Sequence, residues 1–179
     1  PQTATGRILA LAERLDTLVG IFAIGQAPSG AKDPFALRRA ALGALRLLIE
    51  GQLAVDLQTA LKQAAAGFDP SLRAGDAIAP VFDFMMERLR GYYLEQGIRP
   101  DVFEAVLDRR PTQPLDFDRR TRAVAAFRHR PEAASLAAAN KRIGNILKKT
   151  ETAPLSDLRA DALVEPAEQA LAHQLTALS

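Results

Sequence analysis

Apolar residues along this chain recur three or four positions apart almost throughout. Nowhere do they alternate with polar ones as a half-buried strand requires. Leu11, Leu15, Leu18 and Phe22 make one such stripe and predict a first helix over 7–24. Gly25 ends it, and GQAPSGAKD over 25–33 reads as a loop. Asp33-Pro34 opens a second helix, because Asp is a good N-cap and Pro has no N–H to leave unpaired in a first turn. That helix is predicted to reach Glu50, with Leu37, Ala41, Ala44, Leu45 and Leu48 facing the core and Gly51 as its stop.

Further helices are predicted over 56–66 (closed by Gly67), 78–95 (stopped at Gly97), 100–108 and 117–128. The 78–95 helix presents Phe82, Met85 or Met86, Leu89 and Tyr93 on its apolar side. Pro131 starts another helix that runs to Lys149, with Leu136, Ala139, Ile143, Ile146 and Leu147 as its buried stripe. Residues 154–162 read as a loop or short turn, and a last helix starts near Glu165-Pro166. The fold class is therefore all-α, a multi-helical bundle. The proline-interrupted stretch RRPTQPLD over 109–116 divides it into two helical subdomains, 1–110 and 111–179.

Composition agrees with a packed protein: 48% hydrophobic and 25% charged residues are enough to bury a core. Cysteine is absent, which excludes disulfides and thiolate zinc sites and fits a reducing compartment. No run of about 18 apolar residues is present, so no membrane span is expected. The N-terminus carries no signal-peptide pattern, and both termini read as cut ends of a longer chain.

The formal net charge of +2 conceals an asymmetry. Residues 1–90 carry ten Lys/Arg against nine Asp/Glu, close to neutral. Residues 119–149 carry nine Lys/Arg against the single acid Glu132, and residues 150–179 only Arg159 against five acids. A basic block of that kind is either an electrostatic footprint for phosphates or a solvated face.

Candidate chemistry is sparse. His129 and His173 are the two histidines; neither precedes an Asp, and their spacing suits no metal site. No G-x-S-x-G elbow and no phosphate-binding loop are present, and the acidic tail lacks calcium-loop spacing. Phe22, Phe35, Phe82, Phe84 and Phe103 fall at helical spacing and are expected in the core. Of Tyr92 and Tyr93, one ring is expected inside and the other outside.

Three stretches carry a resemblance: LAERLDTLVGIFAIGQAPSGAKDPFALRRAALG over 11–43, LRGYYLEQGIRPDVFEAVL over 89–107, and AAANKRIGNILKK over 137–149. In order and spacing they resemble the beta subunit of bacterial glycyl-tRNA synthetase, with KDPFALRR the most specific element. The resemblance extends from about Thr5 to Leu178. It implies a C-terminal part of that subunit: the end of an HD-like helical domain, a helical linker, and the start of a DALR-type anticodon-binding domain. It implies a cytoplasmic heterotetrameric ligase that charges tRNA(Gly) with glycine. In that assembly the alpha subunit uses ATP and Mg to make glycyl-adenylate, and the beta subunit grips the tRNA. No cofactor, no catalytic residue and no metal site are expected in this fragment, nor any membrane or DNA partner.

On that basis Arg119, Arg120, Arg122, Arg128, Lys141, Arg142, Lys148 and Lys149 are expected to meet tRNA phosphates, contacts that add affinity and little sequence information. Asn140 and Asn145 are candidates for base contacts. The resemblance places Asp16 where an HD enzyme has its final metal-binding aspartate, but a single carboxylate does not hold a metal this way; a helix-surface acid or a salt bridge to Arg38 or Arg39 is the expectation. Arg38 and Arg39 either contact phosphate or clamp the preceding loop through Asp16 or Asp33, the clamp being preferred. The alternative readings are a degenerate HD-type phosphohydrolase domain and a protein-interaction module.

Overall fold

The structure is a computed structural model that describes residues 1–149 and 163–178. Those residues form eight α-helices and two short 3-10 turns, with a single isolated bridge, Ser29–Lys32, as the only extended pairing among them. The helices are α1 (Ala4–Ala23), α2 (Leu37–Glu50), α3 (Leu57–Ala66), α4 (Ile78–Glu95), α5 (Pro100–Leu107), α6 (Pro114–Phe127), α7 (Glu132–Lys149) and α8 (Pro166–Leu178). The expected turn over 154–162 lies outside the described residues.

The helix ends follow from local chemistry. Thr3 caps α1 by accepting from the Gly6 N–H at 3.1 Å. Both α1 and α4 end on a glycine in the left-handed region, Gly25 at φ +74° and Gly97 at φ +79°. After α4, the Ile98 N–H reaches the Tyr93 carbonyl and the Gly97 N–H reaches the Leu94 carbonyl, the doubled bond pattern that closes a helix at such a glycine.

The start of α2 differs from the expectation. Asp33-Pro34 forms a turn, closed by the Ala36 N–H on the Asp33 carbonyl, and the helix begins only at Leu37. Asp33 still caps it, at one remove. Its two carboxylate oxygens accept from the Leu37 N–H (2.8 Å) and the Arg38 N–H (3.0 Å). One side chain can satisfy both donors because Ala36 takes a left-handed conformation (φ +53°) that swings the first turn back over Asp33. Phe35 therefore rides the turn, 46% exposed, instead of entering the core.

The described residues divide into two compact units, Pro1–Ala133 and Ala134–Ser179. In the first, α1 packs on α2 and α3, α4 lies against α2 and α3, and α6 closes on α5 and α2. The core comprises Leu11, Leu15, Leu18 and Val19 of α1, the stripe Leu37–Ala41–Ala44–Leu45–Leu48 of α2, Leu57 and Leu61 of α3, and Phe82, Met85, Met86, Leu89 and Tyr93 of α4. Each large apolar side chain fully buried there contributes roughly 1.5–3 kcal/mol. This unit runs past the 110/111 boundary that the prolines suggest, because α6 buries Leu115, Phe117 and Thr121 against it.

The second unit takes in α7 from Ala134 onward and α8. The expected buried stripe of α7 is solvent-facing: Leu136, Ile143, Ile146 and Leu147 are 54–61% exposed, and Ala139 is exposed as well. The amphipathic period is present, but no apolar surface among the described residues covers it.

Candidate nucleic-acid interface

The basic block stands on two helices in different ways. On α6, Arg119 and Arg122 lie three positions apart and share a face, while Arg120 is turned about 100° from Arg119. Three of the α6-region arginines are held by carboxylates. Arg120 Nε donates to Asp116 at 2.7 Å, Arg122 Nε to Asp118 at 2.9 Å, and Arg128 Nη1 to Asp101 at 3.2 Å. Arg119 is exposed and has no ion-pair partner among the described residues.

Arg122 belongs to a structural cluster. Asp118 is 6% exposed and accepts from the Tyr93 hydroxyl at 2.9 Å as well as from Arg122. The Tyr93 ring lies nearly parallel to Phe117 at 6.0 Å between centroids, and Phe103 tilts against both rings. Burial, then the bond to the Asp118 carboxylate, pushes the Tyr93 phenol far above its ordinary value. The same carboxylate holds the Arg122 guanidinium above its usual value. Tyr92 is the half-buried member of the tyrosine pair. This buried hydrogen bond escaped the sequence reading, although the four-residue spacings Asp116–Arg120 and Asp118–Arg122 were there to be read as helix ion pairs.

On α7 the arrangement is simpler. Lys141, Arg142 and Lys148 are exposed; Lys141 and Lys148, seven apart, point the same way, while Arg142 lies about 100° round from Lys141, with Ala138 and Asn145 between them. Lys141, Arg142 and Asn145, with Ala138 and Ile146, line a shallow surface depression of about 350 Å³. Lys149 is the last residue of the helix. Asn140 is exposed and lies nearer the apolar side than Asn145 does. The cationic and apolar faces of α7 thus oppose each other on one helix.

The remaining expected residues lie at the other end of the first unit. Arg38 reaches back over the loop, donating to the Gly30 carbonyl at 2.6 Å and approaching the Asp33 carboxylate at 3.9 Å. Arg39, the next position round the helix, is exposed and has no side-chain partner among the described residues. Asp16 does not pair with either arginine: it is exposed on α1, beside a groove between α1 and α3. Among the described residues, no three His, Asp or Glu side chains converge as a metal site would require.

One anchor had no counterpart in the sequence reading. Asp56 caps α3 through the Thr59 N–H at 2.7 Å and also accepts from the Thr112 hydroxyl. The Leu57 N–H donates to the Thr112 carbonyl at 2.8 Å. The Thr112 hydroxyl, then the Thr59 N–H, holds the Asp56 carboxyl below its ordinary range. The proline-bearing stretch before α6 is therefore tied to α3, fifty-odd residues earlier.

The described residues form an all-helical scaffold on which α7 presents Lys141, Arg142 and Lys148 to solvent. The family model for the glycyl-tRNA synthetase beta subunit matches residues 1–108. The chain is 51% identical over 178 residues to a glycine–tRNA ligase beta subunit of Haemophilus influenzae (strain PittEE), covering 99% of this chain and 26% of that one. It is likewise 51% identical to the corresponding subunit of Sodalis glossinidius, with the same coverage. The subunit of Pseudomonas aeruginosa (strain LESB58) is 50% identical over 171 residues, 96% of this chain and 25% of that one. The chain belongs to the glycyl-tRNA synthetase beta subunit family, and it spans about a quarter of the length of these curated relatives.

Proposed function

We propose that this chain is a tRNA-binding part of the beta subunit of a cytoplasmic glycine–tRNA ligase. It holds and orients tRNA(Gly) while an alpha subunit, using ATP and Mg, carries out the chemistry. In this reading the fragment has no catalytic residue and no cofactor of its own. The ligase activity and the tRNA and alpha-subunit partners come from what the relatives are named for. No helix among the described residues is long and apolar enough to cross a membrane.

The observation that carries the reading is the α7 face. Lys141, Arg142 and Lys148 are exposed there, and no carboxylate pairs with them among the described residues. A cation held by a neighbouring carboxylate gives up part of its pull on a phosphate, whereas an unpaired one keeps all of it. Each phosphate that the helix neutralises releases counterions and steepens the salt dependence of binding by about 0.7–0.9 in the log–log slope.

The test is a gel-shift titration of tRNA(Gly) with the purified chain at several salt concentrations. Wild type is expected to bind with a steep negative slope. Lys141→Ala/Arg142→Ala/Lys148→Ala is expected to flatten that slope by about two. Unchanged slope and affinity in the triple variant would remove α7 from the interface.

A further inference from the structure

A second cationic feature lies on the first unit, where Arg109 and Arg110, outside the basic block, stand beside its Arg120. Arg109 and Arg110, from the segment between α5 and α6, line a cleft of about 330 Å³ together with Arg120, Thr112 and Asp116. That volume lies at the small end of ligand-sized clefts.

The charges there are only partly spent. Asp83 takes one nitrogen of Arg110 at 2.8 Å, and Asp116 takes Nε of Arg120 at 2.7 Å. Both arginine side chains stay more than half exposed, at 67% and 56%. A guanidinium has five N–H donors, so a single carboxylate contact leaves several free. Arg109 is exposed and has no ion pair among the described residues. Three arginines thus line the cleft with one carboxylate, Asp116, while Asp83, outside the lining, holds one nitrogen of Arg110; the planar fork of a guanidinium matches the oxygens of a phosphate.

The backbone beneath them is fixed. Thr112 is tied to Asp56 and Leu57 on α3, and the Arg110 N–H donates to the Leu107 carbonyl at 2.8 Å. Arg110 is itself held at φ +43°, where a residue with a side chain is uncommon. None of the lining residues is aromatic, so the cleft offers no platform for a base.

We infer that this cleft takes a phosphodiester of the RNA backbone, a second anchor on the unit Pro1–Ala133 beyond the one on α7. The inference rests on the tRNA-binding reading above. Recognition here is of backbone charge rather than of base identity.

The test uses the 179-residue chain and a tRNA(Gly) titration over a range of salt. Arg109→Ala/Arg110→Gly removes two guanidinium groups, and glycine accepts the left-handed conformation at position 110, so the fold is expected to survive. Circular dichroism and the urea midpoint verify that. The variant is expected to flatten the log–log slope by one to two, about the loss of one contact per arginine, for every RNA sequence tried. The control is Arg73→Gly, which removes a single arginine, 78% exposed against 67% for Arg110, also at positive φ and paired with Asp76, from elsewhere in the unit. It is expected to leave the slope unchanged. Equal flattening by the control would reduce the effect to net charge and overturn the inference. So would a slope unaffected by the double variant while the α7 variant still flattens it. Absence of any salt-dependent tRNA binding by the wild-type chain would overturn the broader reading and this one with it.

Discussion

Tyr93 is the residue on which the packing of α4 against α5 and α6 converges. Its ring lies among Phe103 and Phe117, and its hydroxyl finishes the hydrogen bonding of a carboxylate that is 6% exposed. Tyr93→Phe keeps the ring and removes only the donor, so it is expected to lower stability by about 1–2 kcal/mol, read from the shift in urea midpoint at constant slope. Asp118→Ala is expected to cost more, because it strands both the Tyr93 hydroxyl and the Arg122 guanidinium. The phenol also sets a pH signature. Its folded value is raised above the ordinary 10.0, so its contribution is whole below that pH and is lost as pH rises past it, when the unfolded chain ionises first. In a Tyr92→Phe background Tyr93 is the only tyrosine left, and tyrosinate absorbance is expected to appear together with unfolding rather than before it.

At the scale of elements, the junction of α3 with the segment before α6 is the most exposed to test. Asp56→Ala removes an N-cap and the acceptor for Thr112 at once, with an expected cost of roughly 1–2 kcal/mol. A double-mutant cycle with Thr112→Val is expected to show a non-zero coupling, which a plain helix cap would lack. The Asp56 carboxyl is depressed, so this stability is present above the ordinary 3.8 and fades as pH falls through the lower folded value. In Asp56→Ala the acid limb of the stability curve is expected to be shallower.

The helices of the first unit were legible in the sequence wherever the apolar period coincided with a core face: Leu11, Leu15 and Leu18 of α1 and the whole α2 stripe are buried, and Phe22 is partly buried against the core. Helix starts were less so. Asp33 was readable as a cap, but not the turn that separates it from Leu37, since that depends on a left-handed alanine. The basic block was visible as composition. Its division into the paired Arg120, Arg122 and Arg128 and the unpaired cations Arg119, Lys141, Arg142 and Lys148 was only half visible. Asp116–Arg120 and Asp118–Arg122 are local spacings, whereas Arg128–Asp101 and Arg110–Asp83 join residues 27 apart and arise only from the tertiary fold. Spacing alone also marked the α7 stripe as buried. Period reports that two faces differ, not that a partner covers the apolar one.

At the scale of the molecule, every residue of the buried apolar core among the described residues lies between Leu11 and Phe117, inside the first unit. A chain ended after Ala133 is therefore expected to keep its helical circular dichroism per residue and its urea midpoint within error of the full chain. Loss of cooperative unfolding on that truncation would show that the second unit contributes to the core. The full chain, mixed with glycine, ATP, Mg and tRNA(Gly), is expected to form no glycyl-tRNA, which an acid-gel charging assay reads directly.

The Thr112 tether has a kinetic consequence as well as an energetic one. Immobilising a backbone residue costs about 1–2 kcal/mol, and for the stretch that carries Arg109 and Arg110 that loss is incurred while the protein folds, not when a polyanion arrives. Capture then asks only a few long side chains to settle. The encounter rate should accordingly be governed by diffusion and ionic strength, and severing the tether should hasten departure of the nucleic acid more than it slows arrival.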